Sequence, residues 1–175
     1  SDEAQAMYET YYEFLLDHNI SAYDLPYDIL DERADAYLND PRMTSFCIPY
    51  FDTDHREDAA EVIRAYHDKL TSNPMWADKG YFYAVDEPST AEHYGWYLET
   101  VEWLEEHYPG YHMVMPTHII EFEEEGEYYH SVLMHALGAD IFCPLSVLLE
   151  NEAYRADVEE SLPDATRWWY VCCGP

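Results

Sequence analysis

Six short apolar runs punctuate this chain, four of them end at a proline, and the stretches between them have helical spacing. Proline has no N–H to give to a strand ladder, so a strand read from such a run should stop there. The runs begin near positions 20, 43, 81, 111, 141 and 167. The predicted strands are 20–25, 43–48, 81–85, 111–115, 141–143 and 167–172.

Helical stripes lie between them. Residues 3–18 carry Met7, Tyr11, Phe14 and Leu15 as an apolar face, and 31–38 is a shorter helical stretch. Residues 57–70 carry Ala60, Ile63, Ala65, Tyr66 and Leu70. Residues 90–107 carry Tyr94, Tyr97, Leu98, Val101 and Leu104. Residues 128–137, ending at Gly138, and 152–162 are also predicted helices.

The alternation repeats every 25 to 35 residues or so, the size of a βα unit. The fold class is therefore α/β, with a parallel sheet, open and doubly wound or part of a (β/α)8 TIM barrel. Neither GxGxxG nor GxxxxGK[ST] follows any of the strands, which removes support from phosphate-binding open sheets. A full barrel takes roughly 250 residues. The 175 residues are thus expected to be one domain, 1–175, covering about six βα units of a barrel and incomplete at both ends.

The run Gly80-Tyr81-Phe82-Tyr83-Ala84-Val85 leads into Asp86-Glu87-Pro88. Two adjacent carboxylates are thereby expected at the C-terminal end of a strand, with Pro88 opening the next helix. In parallel α/β folds ligands bind at that edge. Burial and mutual repulsion can split the pair into an ionised and a protonated carboxyl, the division of labour that glycoside hydrolysis uses. The alternative is that Asp86 caps the next helix and Glu87 is solvated.

Charge excludes several partners. There are 37 acidic and 8 basic residues, for a net charge of −29. Such a field repels phosphate, which argues against nucleic acid and anionic membranes. No apolar run reaches the roughly 18 residues of a membrane span. A neutral sugar is indifferent to the field. Both a salt-rich habitat and an acidic extracellular or cell-surface protein fit it.

Cys47, Cys143, Cys172 and Cys173 lack metal-site spacing and are expected to be buried, reduced thiols. His130 and His135, five apart, do not form an HExxH-type pair, and no metal or other cofactor is expected. Glu121, Glu123, Glu124, Glu125 and Glu127 are expected to form a solvated loop.

Five strings carry a resemblance: Tyr11-Tyr12-Glu13-Phe14-Leu15-Leu16-Asp17-His18, Ala36-Tyr37-Leu38-Asn39-Asp40-Pro41-Arg42, Ser45-Phe46-Cys47-Ile48-Pro49-Tyr50, Tyr81-Phe82-Tyr83-Ala84-Val85-Asp86-Glu87-Pro88 and Trp168-Trp169-Tyr170-Val171-Cys172-Cys173-Gly174-Pro175. Together they resemble the catalytic domain of glycoside hydrolase family 123 and the related domain-of-unknown-function family 4091. The resemblance implies a (β/α)8 barrel whose second to seventh strands are present, with Asp86 and Glu87 ending the fourth. It implies removal of N-acetylgalactosamine-type residues from glycans by substrate-assisted retaining hydrolysis. Glu87 would then be the general acid and base, and Asp86 would orient the 2-acetamido group.

Around the pair, His118 follows the strand that ends at Pro116, and Tyr170 shares a strand face with Trp168 by alternation. His118 and Tyr170 are candidates for hydrogen bonding to the sugar, and Trp168 or Trp169 for stacking on it. Tyr23 with Asp24, and Tyr50 with Asp52, follow the two earlier strands as further candidate contacts. Barrel packing is the alternative for Tyr170 and the tryptophans, and a solvated loop for His118. A non-catalytic carbohydrate-binding barrel and a conventional retaining glycosidase are the rival functions. The latter needs a second carboxylate, and the seventh strand ends in Cys172-Cys173-Gly174.

Overall fold

The computed structural model describes residues 2–49 and 56–172, which divide into two compact units. One comprises 1–82 and 107–111, the other 83–106 and 112–175. The class is α/β. Within each unit the consecutive βα strands pair in parallel, and one antiparallel hairpin is added in the second.

In the first unit, helix α1 (Asp2–Asp17) precedes α2 (Ala34–Leu38), strand β1 (Phe46–Cys47), α3 (Arg56–Thr71), the single turn α4 (Pro74–Ala77) and most of β2 (Gly80–Tyr83). β1 and β2 pair in parallel with Phe46 opposite Gly80. A Cβ at Gly80 would stand 2.9 Å from Ile48 Cδ1, so a larger residue there would make the end of the Ile48 side chain shift. The α3 stripe buries Ala60, Ile63, Tyr66 and Leu70 as its periodicity predicts. Asn73 caps α4 by accepting from Met75 N, with Pro74 at the first helical position.

α1 forms where predicted but buries a different face. Tyr12 and Leu16 are buried, whereas Met7, Tyr11 and Phe14 are exposed. The helix carries overlapping apolar stripes, and contact with α2 selected the one bearing Tyr12, whose ring meets Tyr37 edge-on at 5.1 Å. Residues 20–25 are not a strand. They form a bend held to β1 by a bond from Cys47 N to Tyr23 O (2.7 Å) and by Ser21 Oγ, which accepts from Thr44 N (3.0 Å).

The second unit contains most of α5 (Ala91–His107), β3 (Met113–Thr117), β4 (Glu121–Glu124), β5 (Glu127–His130), α6 (Ser131–His135), β6 (Ile141–Pro144), a 3₁₀ turn (Ser146–Glu150), α7 (Glu152–Ser161) and β7 (Thr166–Arg167). β6 pairs in parallel with both β3 and β7. Pro116 lies inside β3 instead of ending it, whereas β6 stops at Pro144 as expected. Pro116 stands opposite Cys143, and the ladder tolerates it because the neighbouring bond, Leu145 N to Thr117 O (2.8 Å), is kept. Asp140 ties the strand beginnings together: Oδ1 accepts from Met113 N (2.8 Å), Oδ2 bonds His112 Nδ1, and its carbonyl accepts from Thr166 N (2.9 Å).

The expected loop at 121–127 and helix at 128–137 are both corrected. β4 and β5 form a hairpin with Glu121 opposite His130 and Glu124 opposite Glu127. Glu125 (φ +54°) and Gly126 (φ +83°) both occupy the left-handed region, as a two-residue turn with the twist of the flanking strands requires. The helix α6 is therefore short and begins only at Ser131. Behind it, Val132, Phe142, Tyr154, Val158 and Leu162 form one apolar cluster. Among the described residues no helix is long and apolar enough to cross a membrane.

Candidate active site

β2 closes with Tyr83, and the chain turns sharply after it. The Tyr83 hydroxyl donates to Asp86 Oδ1 at 2.6 Å, closing the turn through side chains. Glu87 then adopts φ +45°, a left-handed conformation that a residue with a Cβ rarely takes and that costs about 1 kcal/mol or more. Pro88 is buried behind it. The helix begins later than Pro88: Thr90 is its cap, accepting from His93 N through Oγ1 (3.2 Å), and α5 starts at Ala91. Glu124 of the hairpin accepts from Ala91 N at 2.6 Å, adding a carboxylate to the positive end of this helix. Asp86 is thus not the helix cap. Thr90 and Glu124 do that work, and the Asp86-Glu87 pair is held by other groups.

Tyr170 donates its hydroxyl to Glu87 Oε1. Its position comes from parallel pairing beyond the end of β7: Tyr170 N donates to Pro144 O (3.2 Å), and Ser146 N donates to Tyr170 O (2.9 Å). His118 follows β3 directly, in a turn shaped by Thr117 Oγ1 donating to Ile119 O (3.0 Å). His118 Nδ1 is buried, has no hydrogen-bond partner, and lies 3.7 Å from Glu87 Oε2. The Glu87 side chain is 32% exposed and that of His118 36%, so solvent and a ligand can reach both. Asp86 is exposed.

Asp86, Glu87, His118 and Tyr170 are therefore brought together, all after the C-terminal ends of parallel strands. Both tyrosine hydroxyls resist ionisation. Burial is the larger cause for each, followed by the hydrogen bond to Asp86 for Tyr83 and to Glu87 for Tyr170. They are fixed donors at neutral pH.

Tyr83 was not anticipated from sequence. Its signal was present, a tyrosine in the apolar run three residues before Asp86, but the run reads equally well as uniform core. Trp168 is partly buried, lining a separate hollow against α7, and Trp169 is 68% exposed. Tyr23 belongs to the first unit, half-exposed, its ring edge-on to Tyr81 at 6.4 Å. Its neighbour Asp24 lines a pocket of about 290 Å³ at the end of β1, with Tyr27, Asp28, Phe46 and Cys47. Tyr50 and Asp52 lie outside the described residues.

Cys47 and Cys143 are buried thiols, burial pushes Cys143 up to about 11, and Cys173 lies outside the described residues. Cys172 is exposed, contrary to expectation, because the chain leaves the sheet after Tyr170. Among the described residues, no group of three or more His, Cys, Asp or Glu side chains could hold a metal ion.

Compared with known proteins, the chain matches no family model, and no curated protein matches it.

Proposed function

We propose that the chain is a glycoside hydrolase acting on N-acetylhexosamine glycans of the N-acetylgalactosamine type, by the substrate-assisted chemistry of the family its strings resemble. The observation that carries this reading is the arrangement around the pair. Adjacent carboxyls each receive a hydroxyl donor of their own, and a histidine nitrogen without a partner stands over the remaining oxygen of Glu87. On this reading the parallel strands belong to a (β/α)8 barrel, whose C-terminal rim is where such a site sits.

In the proposed cycle, Glu87 carries its proton on Oε2, since Oε1 is engaged by Tyr170. It gives that proton to the glycosidic oxygen as the 2-acetamido oxygen attacks the anomeric carbon. The leaving alcohol departs with the proton and an oxazolinium ring forms. Asp86, oriented by Tyr83, stabilises the positive charge on the acetamido nitrogen. Glu87 then takes a proton from water as that water opens the ring with overall retention.

Replacement of each carboxyl separates the roles. Glu87→Gln is expected to lose on the order of 100-fold or more on glycosides with poor leaving groups, and less on an activated aryl glycoside that leaves without protonation. Asp86→Asn should slow both kinds alike, by a similar factor. Efficient hydrolysis of a sugar lacking the 2-acetamido group, or unchanged rates in both variants, would overturn this reading.

A further inference from the structure

The second unit holds a pocket of about 240 Å³ whose chemistry is unlike the rest of the chain. Phe142 and Pro144 of β6, Val158 of α7, and Trp168 and Trp169 after β7 make its walls mainly apolar. Arg155 and Arg167 stand at its rim. The chain has 37 carboxylate residues and only 8 basic ones. Elsewhere, among the described residues, Arg33 pairs with Asp31, Arg42 with Glu13, Asp17 and Asp40, and Lys69 with Asp35, while Arg64 bonds His107 and Lys79 bonds the carbonyls of Leu38 and Asp40. Neither Arg155 nor Arg167 has a carboxylate partner among the described residues. Two guanidiniums without a carboxylate partner among the described residues therefore line one apolar hollow in a protein where acidic partners are abundant.

Arg155 is also held in place. Its Nη1 donates to Leu149 O of the 3₁₀ turn, which anchors one end of the guanidinium, and among the described residues its other N–H groups have no partner. Glu159 lines the same pocket one helical turn beyond Arg155. One carboxylate against two guanidiniums leaves the rim with a single net positive charge. Aromatic walls lined together with guanidinium donors suit a ligand with an apolar ring and a carboxylate. Its volume, below the range of about 300–1,000 Å³ for drug-sized ligands, suits a single-ring acid.

We propose that this pocket binds a small organic carboxylate with an apolar, preferably aromatic, body, with Arg155 and Arg167 taking the carboxylate and Trp168 and Trp169 the ring. The proposal does not depend on glycosidase activity.

The test is titration of the whole chain with 3-phenylpropionate, read by tryptophan emission, beside 3-phenyl-1-propanol, which has the same ring and no charge. Saturable binding of the acid, at least about 10-fold tighter than the alcohol and weakened by added salt, is expected. Arg155→Gln and Arg167→Gln, both at exposed positions that leave the core intact, should each weaken the acid about 10-fold and leave the alcohol unchanged. Trp169→Phe should diminish the emission change. Equal affinity for acid and alcohol, no saturable binding of either, or acid binding indifferent to both arginine variants would each overturn the proposal. So would self-association through this face that shuts out the acid, seen by sedimentation.

Discussion

At the scale of single residues, the most unusual group is His135. It is fully buried, both ring nitrogens lack hydrogen-bond partners, and its ring stands edge-on to Phe142 at 5.0 Å. Burial holds its pKa down at about 4, against a small opposing pull from Asp140. The native state thus refuses a proton that the unfolded chain accepts below about pH 6.5. Its contribution is fully present above that pH, is lost as pH falls from about 6.5 to 4, and changes no further below. The loss is on the order of 3 kcal/mol. His135→Leu should remove this component. Denaturant unfolding from pH 7 to 4 should show the wild type losing more stability than the variant, and parallel curves would refute the assignment.

The same scale shows why the candidate site was partly legible. Asp86 and Glu87 are adjacent in sequence, and their place after an apolar run needs only local reasoning. His118 was reachable because it follows a predicted strand, and Tyr170 because alternation puts it on one face of another. That Tyr170 and His118 address opposite oxygens of Glu87 depends on a register across β3, β6 and β7, which no local pattern encodes. Tyr83 was overlooked because a tyrosine closing a strand is ordinary core until its hydroxyl is seen to reach a carboxylate.

Among elements, the β4–β5 hairpin was the least legible. The alternation of Glu121, Phe122, Glu123 and Glu124 is short, and five glutamates within seven residues read as solvated chain. Packing supplies what propensity lacks. Phe122 stacks on Tyr129 (4.7 Å), and both stack on Tyr94 of α5 (5.7 and 5.6 Å), while Glu124 caps that helix. Glu125 pays for its left-handed φ, and an asparagine there would suit the two-residue turn better. Glu125→Asn should stabilise the protein by about 0.5–1 kcal/mol in denaturant unfolding. A destabilised variant would contradict the turn geometry. Helices α3, α5 and α7 were legible because long stripes at period 3.6 bury whole faces. α1 shows the limit: periodicity located the helix, but two stripes competed and a neighbour chose between them.

At the scale of the whole molecule, charge dominates. With a net charge of −29, folding brings like charges together and the compact state bears their repulsion. Screening relieves it: the Debye length shortens from about 14 Å at 0.05 M to about 3 Å at 1 M salt. Raising sodium chloride across that range is expected to raise Tm by about 5 °C, and a flat or falling Tm would show that the acidic field is already neutralised locally.

The amino-acid sequence by itself determined the α/β class, most helices, the parallel strands around 80–83, 113–117 and 141–144, and the location of the Asp86-Glu87 pair. These follow from periodicity and from backbone limits that act within a few residues. Tertiary structure alone decided which face of α1 is buried, that a glutamate-rich stretch is a hairpin, that Pro116 sits within a strand, and that Tyr170 and His118 address different oxygens of Glu87. Each of these is settled by contacts between residues far apart in the chain. Their energies exist only once the strands are in register, so no local signal announces them.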